Sequence, residues 1–132
     1  MQQHCLYRGD DLVTSQMCVC TNFFERGRGL LWRPRLDVAL GEALLIPRCN
    51  SVHTFWMSYR IAVIFLDEAG RIVRICPDVP PWRVVGCRQA RFALECAVGT
   101  VWAQSLSAGQ QLHWRELTKD MRGIHAGRCY SK

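Results

Sequence analysis

Short apolar segments separated by turn residues run along most of the chain, and this pattern predicts a domain built mainly of β-strands. The first predicted element is a hairpin whose arms are Cys5–Tyr7 and Leu12–Cys20. Gly9 and Asp10 stand between the arms, and both residue types are common in tight hairpin turns. The second arm is rich in β-branched and apolar residues, which favours a half-buried strand.

A second hairpin is predicted from Ile61–Leu66 and Arg71–Cys76, with Gly70 in the turn between them. Its first arm is apolar at every position, so we expect that strand to be buried on both faces of a sheet. Further strands are predicted at Ala43–Ile46 and Gln111–Leu117.

Helical signals are few and short. Asn22 can cap a helix start with Glu25 three positions later, and Pro34 prevents the helix from continuing. Thr100–Leu106 is compatible with a short helical turn, whereas Arg91–Cys96 is predicted as a strand with a helix as the alternative. The fold class expected from these elements is α+β, a compact, strand-dominated, barrel-like domain with one or two short helices.

Length and composition place this fold in a single domain. The chain has 132 residues, of which 49% are apolar and 21% are charged. This apolar fraction is enough to build one core, and it is higher than in disordered chains. We expect one domain over residues 1–117 and a basic, flexible tail over 118–132. The longest apolar run is too short to span a membrane, and Asp10 and Asp11 interrupt the region where a signal peptide would lie. A cytoplasmic location is therefore expected.

Charge and cysteine content are compatible with several classes of partner and do not identify one. The formal net charge is +6, a balance that permits contact with nucleic acid, anionic lipid or an acidic protein. The basic residues are scattered, so nucleic-acid binding is kept as a possibility that is not favoured. The 8 cysteines include no C-x-x-C pair, only the C-x-C of Cys18 and Cys20. We interpret them as ordinary buried thiols, with a metal held by Cys18 and Cys20 and by ligands elsewhere in the chain as the alternative. No metal site and no cofactor is predicted.

The segment from Pro47 to Met57 is the least ordinary part of the chain, too polar for a core strand and too aromatic for a common loop. One hypothesis is a pocket or groove with aromatic walls and polar contacts. The alternative is that Phe55, Trp56 and Met57 fill the core while the polar residues satisfy backbone groups. The candidate ligand-binding residues under the first hypothesis are Glu25, Arg26, Arg33, Asn50, His53, Thr54, Trp56 and Glu95.

Two further positions bear on function. Glu95 ends an apolar strand, where a carboxylate should face outward or pair with an arginine, and an internal ion pair with Arg26 or Arg33 is our hypothesis. Trp82 and Arg83 follow two prolines and suggest an exposed aromatic and basic edge suited to a partner, with Trp82 covering the core as the alternative.

These residues carry a resemblance to a known family. The positions that carry it are Thr21, Glu25, Arg26, Gly29–Leu31, Arg33, Gly41, Leu44–Ile46, His53–Met57, Phe65–Asp67, Gly70, Leu94, Glu95, Gly99 and Gly109. In this order they resemble domain-of-unknown-function family 192 from about residue 12 to residue 117. The resemblance implies a compact, strand-dominated prokaryotic domain, which we expect here to be bacterial, and it implies no activity.

The family pattern departs from this chain after Met57. The family usually continues to a proline, an apolar residue and an aspartate, where this chain has Arg60, Ile61 and Ala62. A reaction that needed the aspartate is therefore not expected here.

The function predicted at this point is a non-enzymatic accessory module that recognises a small ligand or a protein segment near His53–Trp56. The alternatives are an enzyme with a pocket around His53, Glu25 and Glu95, and a weak nucleic-acid binder that uses the arginine-rich surface.

Overall fold

A computed structural model describes residues 2–22 and 35–117 of the chain. Strands account for most of the described secondary structure, and the helical element in these ranges is a single turn, α1 (Val101–Gln104). The strands are β1 (Gln2–Arg8), β2 (Asp11–Val19), β3 (Ala43–Pro47), β4 (Ser51–His53), β5 (Ile61–Leu66), β6 (Ile72–Val79), β7 (Val84–Gly86), β8 (Phe92–Ala97) and β9 (Leu112–Glu116).

Seven of these strands form one sheet in the order β6-β5-β8-β3-β2-β1-β9, and β4 pairs with β7 in a separate two-stranded sheet. Within the large sheet, β2 and β3 are parallel and every other neighbouring pair is antiparallel. A parallel pair needs a long crossover connection, which the chain between Val19 and Ala43 supplies. Strand β8 lies between β3 and β5 and thereby joins the early and the middle part of the chain.

The expected barrel is wrong, because the large sheet does not close. Strands β6 and β9 are its two edges, and they meet only where they begin, through an isolated bridge between the preceding residues Arg71 and Gln111. The amide of Leu112 donates to the carbonyl of Gly70 at 2.9 Å beside this bridge. A closed barrel needs pairing along the whole of both edges, with a matching tilt and stagger. The supported description is a mostly-β domain with an open sheet.

Both faces of the large sheet are buried. In β5, Ile61, Val63 and Phe65 belong to one core cluster, while Ile64 and Leu66 belong to the other. The small β4–β7 sheet covers the first cluster, and the segment around α1 packs on the second. This arrangement explains why β5 is apolar at every position, as the sequence predicts.

Both predicted hairpins are confirmed, as β1–β2 and β5–β6. The Asp67 carboxylate accepts the amides of Ala69 and Arg71, both at 2.9 Å, and so shapes the second turn. Strand β6 also continues through Pro77, beyond the predicted end of this arm at Cys76. The reason is that β6 is an edge strand, where a residue without an amide proton is tolerated.

The strand interpretation of Arg91–Cys96 is confirmed as β8, and the short helical turn near Thr100 as α1. The predicted helix start at Asn22 and the tail 118–132 lie outside the described residues, and the domain boundaries stay predictions. Within residues 2–22 and 35–117, no helix combines the length and apolar character that crossing a membrane requires.

Candidate functional site

A buried threonine fixes the segment that the sequence singled out. The Thr54 side chain is fully buried, and its hydroxyl donates to the carbonyl of Pro80 at 2.7 Å and accepts the amide of Arg83 at 2.9 Å. The Thr54 backbone adds a donor bond to the carbonyl of Arg83 at 2.8 Å and accepts the amide of Trp82 at 3.0 Å. Thr54 therefore ties the turn after β4 to the turn before β7.

Four aromatic rings lie on the two turns that Thr54 joins. The ring centroids of His53 and Phe55 are 4.9 Å apart, those of Phe55 and Trp82 are 5.8 Å apart, and those of Trp56 and Trp82 are 4.8 Å apart. We call these four residues the aromatic patch. Such spacings are those of favourable ring contacts, so the four side chains form one continuous group.

Both tryptophans of the patch are exposed and have backbone conformations that favour glycine. Trp56 is 71% exposed with φ +69°, and Trp82 is 53% exposed with φ +66°. The amide of Met57 donates to the carbonyl of Thr54 at 3.3 Å, which makes Trp56 the third residue of a tight turn. A non-glycine residue at positive φ costs about 1 kcal/mol or more, and such residues concentrate at functional sites.

The small sheet presents the patch on its outer face. Val52 and Val85 face the core from the two strands, whereas His53 and its cross-strand partner Val84 are exposed. At the other end of the small sheet, Ser51 stands opposite Gly86. Apolar residues thus hold the sheet to the core while its outer face stays accessible.

Positive charge surrounds this face. The segments 43–66 and 79–94, which hold both small strands and the patch, contain no aspartate or glutamate. Their arginines are all exposed: Arg48, Arg60, Arg83, Arg88 and Arg91. Arg60 is paired with Asp78 at 2.6 Å, whereas no carboxylate in the described part of the chain pairs with the other four.

A second polar group lies inside the large sheet. Glu95 is only 4% exposed, stands between Leu44 and Val63 on the neighbouring strands, and burial raises the pKa of its carboxyl to about 7. Its Oε2 atom and the buried hydroxyl of Tyr59 have no hydrogen-bond partner among the described residues. Burial, followed by the charge of Glu95, raises the pKa of Tyr59 to about 12, and the guanidinium of Arg35 lies 4.7 Å from the ring centroid.

The predicted site residues do not form one cluster. Asn50, His53, Thr54 and Trp56 lie on or beside the small sheet, whereas Glu95 is in the large sheet. His53 points outward while its neighbour Val52 packs on the same core cluster as the residues around Glu95, so the structure does not bring His53 and Glu95 together. The remaining predicted residues lie outside the described ranges: Glu25, Arg26 and Arg33.

The alternative in which Phe55, Trp56 and Met57 fill the core is wrong for the two aromatic residues, since both are exposed, and only Met57 packs against the core. The expected aromatic and basic edge at Trp82 and Arg83 is confirmed by their exposure. Sequence reasoning did not connect Trp82 with Trp56. The usable signal was the pair of prolines before Trp82, which turns the chain toward the segment at residue 54.

Other parts of the described chain contain fewer groups that could bind a ligand or react. A cavity of about 300 Å³ lies beside α1 and is lined mainly by apolar side chains such as Ile64, Ile75 and Ala103, and no predicted site residue lines it. In residues 2–22 and 35–117, no three His, Cys, Asp or Glu side chains are grouped as metal ligands. Burial raises the pKa of the Cys96 thiol to about 12, which makes it a poor nucleophile.

Comparison with known proteins gives the family. The model of DUF192, described as an uncharacterized ACR, matches residues 6–114. A UPF0127 protein of Thermococcus sibiricus is 32% identical over 106 residues, which cover 76% of this chain and 67% of that protein. A UPF0127 protein of Pyrococcus furiosus is 34% identical over 98 residues, covering 73% and 84%. These relatives are archaeal, so they do not support a bacterial origin.

Two solved structures share the fold. A protein of unknown function from Novosphingobium aromaticivorans aligns with a TM-score of 0.67 and 14% identity, covering 85% of this chain and 84% of that one. A putative transcription regulator from Sinorhizobium meliloti aligns with a TM-score of 0.66 and 17% identity, covering 86% and 92%. At these identities, the likeness establishes the fold alone.

Proposed function

Because the chain belongs to domain-of-unknown-function family 192, whose model carries no activity to transfer, we propose a function from its surface: a non-enzymatic binding module that docks a protein segment on the aromatic patch. One observation carries this proposal. Trp56 and Trp82 are exposed at positive φ and held in contact, although a tryptophan gains most free energy by burial. Surface tryptophans held in place in this way are typical of residues that dominate the binding energy of protein interfaces.

Rigidity supports the proposal. The Thr54 network holds both turns of the patch before any partner arrives, so little side-chain or loop entropy is lost on binding. Together the aromatic rings offer apolar area, and the indole N–H groups of Trp56 and Trp82, which donate to no described residue, offer hydrogen bonds at its edge. A cytoplasmic site of action is part of this proposal.

We favour binding over catalysis for a geometric reason. The catalytic alternative needed His53 and Glu95 in one pocket, and these residues lie on different sheets with His53 facing outward. General acid–base catalysis requires both groups within hydrogen-bond reach of one substrate.

A library of random twelve-residue peptides displayed on phage tests the proposal. Selection is made on the intact protein, and the selected peptides are then measured against Trp56→Ala and against Val101→Ala. Val101 is the matched control because it is 76% exposed and apolar but lies on α1, away from the patch. We expect Trp56→Ala to weaken binding by about 30-fold or more, the effect of an interface hot spot, and Val101→Ala to leave it unchanged.

The proposal is rejected by either of two results. The first is that selection returns no binding peptide, and the second is that the selected peptides bind Trp56→Ala as tightly as the unchanged protein. Far-UV circular dichroism of both variants confirms that each is folded before the comparison is made.

A further inference from the structure

We infer that the segment bound by the aromatic patch is an extended acidic peptide, with an apolar side chain on the rings and carboxylates on the arginines at both ends of the small sheet. This inference rests on the proposed function, because it names the partner of the same surface.

The arginines around the small sheet complement the charge of an acidic peptide. Arg83 directly follows a tryptophan of the patch, and Arg48, Arg88 and Arg91 are exposed near the opposite end of the small sheet. The amide of Cys49 donates to the carbonyl of Arg91 at 3.1 Å, which brings the chain at residue 48 close to the chain at residue 91. Because no acidic residue lies in segments 43–66 and 79–94, an incoming carboxylate has no like charge in these segments to oppose it.

The length of the small sheet sets the spacing of the ligand. Strand β4 has 3 residues, so the aromatic end and the arginine end are separated by about 10 Å at about 3.3 Å per residue. An extended peptide lying along the outer face has its apolar side chain, with one acidic residue beside it, at the aromatic end. Its second acidic residue, for the arginine end, is then about three or four positions away. Ser51 and Gly86 stand at the arginine end of that route.

The ring geometry favours a peptide over single-stranded nucleic acid. Successive bases stack on aromatic faces, which suits rings presented side by side with similar orientation. In the patch, the ring of Phe55 is inclined by 31° to that of His53 and by 29° to that of Trp82, but Trp56 meets Trp82 edge to face at 61° and so interrupts the row. Such a cluster surrounds one side chain better than it supports a row of bases, and its indole N–H groups can donate to peptide carbonyls.

The test uses the same displayed library, now scored for composition and salt dependence. We expect the selected peptides to be enriched in Asp and Glu next to an aromatic or aliphatic residue and again three or four positions away. Their affinity should fall as salt rises, because the flanking contacts are exposed ion pairs. Arg83→Gln should lower the affinity of the protein for the selected peptides by about 2- to 5-fold.

Arg71→Gln is the matched control. It removes one exposed positive charge beside the β6–β9 bridge, away from the patch, and should change affinity by less than Arg83→Gln does. Both substitutions preserve the backbone hydrogen bonds at these positions, and Arg83→Gln also removes a bond from the guanidinium to the Trp82 carbonyl at 3.4 Å.

Three results would overturn the inference. The first is a set of selected peptides that are neutral or basic. The second is an Arg71→Gln variant that loses as much peptide affinity as Arg83→Gln does. The third is a twelve-nucleotide oligothymidylate that binds the patch more tightly than every selected peptide. After either of the first two results, the proposed function stands provided that Trp56→Ala still weakens peptide binding by about 30-fold or more, so failure of this inference is distinguishable from failure of the proposed function. The third would assign the patch to nucleic acid instead.

Discussion

Substitution of Glu95 by glutamine should change how the stability of this protein depends on pH. Burial raises the pKa of the folded carboxyl to about 7 from an ordinary value of 4.5, whereas the unfolded chain keeps the ordinary value. Between these two pH values the unfolded state releases the Glu95 proton and the folded state retains it. Rising pH therefore favours unfolding in this window.

The expected magnitude follows from the difference between the two pKa values. At about 1.4 kcal/mol for each tenfold change in the acid dissociation constant, the ionised carboxylate costs the fold about 3 kcal/mol above pH 7. Below pH 4.5 the carboxyl is neutral in both states and the cost is absent. Glutamine carries no charge at any pH, so the variant avoids the cost throughout.

Urea unfolding of the two proteins between pH 4 and pH 8.5 measures this effect. We expect Glu95→Gln to match the unchanged protein at the acid end and to exceed it by about 3 kcal/mol at the alkaline end. Taking the difference between the proteins cancels the titration of every other group. Asp67→Asn is a suitable control for the loss of a carboxylate, because the Asp67 carboxylate accepts hydrogen bonds in a turn near the surface and is not buried as that of Glu95 is.

The opposite slope would refute this reasoning. If Glu95 forms an internal ion pair with Arg26 or Arg33, as the sequence suggested, its folded pKa lies below 4.5 and glutamine destabilises the protein at neutral pH. A difference that does not change with pH would also refute the assignment, because it would mean that Glu95 titrates alike in both states.

Three other stability predictions follow from the described geometry, each measured by urea unfolding. Thr54→Val should lower the free energy of unfolding by about 1–3 kcal/mol, because it leaves a buried amide and a buried carbonyl without their hydroxyl partner. Trp56→Gly should leave that free energy unchanged or raise it by about 1 kcal/mol, because it removes a strained conformation and little buried area; a marked loss would contradict the strain. Gly70→Ala should lower the free energy of unfolding more than Gly99→Ala, since both residues have positive φ but only at Gly70 would a Cβ collide with a backbone oxygen, that of Leu112. Equal costs for the two alanines would contradict this contact.

The hairpins could be predicted from sequence because their signals are local. Gly9 with Asp10, and Asp67 with Gly70, mark two turns between apolar arms, and neither assignment depends on distant parts of the chain. The double burial of β5 was equally visible in its unbroken apolar run. The open sheet was not predictable in this way, because closure depends on whether two edge strands far apart in sequence share a register along their length.

The small sheet escaped prediction for a different reason. Strands β4 and β7 have 3 residues each, too few for an alternating pattern to stand out, and they lie beside proline and polar residues. The sequence identified residues 50–57 as unusual but could not decide whether Trp56 is buried or exposed. That outcome depends on a positive φ and on bonds from Thr54 to a segment about 26 to 29 residues away.

For Glu95, sequence reasoning expected an outward side chain or an arginine partner. The structure shows an inward side chain without a charged partner among the described residues. Strand position alone cannot distinguish these cases, because the face of a central strand is set by its neighbours on both sides.

The position of β8 between β3 and β5 has a consequence for synthesis of the protein. While the ribosome adds residues up to about position 91, β3 and β5 each have one long side with no partner strand, and β5 is apolar at every position. An unpaired apolar edge of this kind invites association with other chains. The nascent protein therefore cannot join β3 to β5 until β8 emerges, and chains truncated before residue 92 should depend on chaperones to stay in solution.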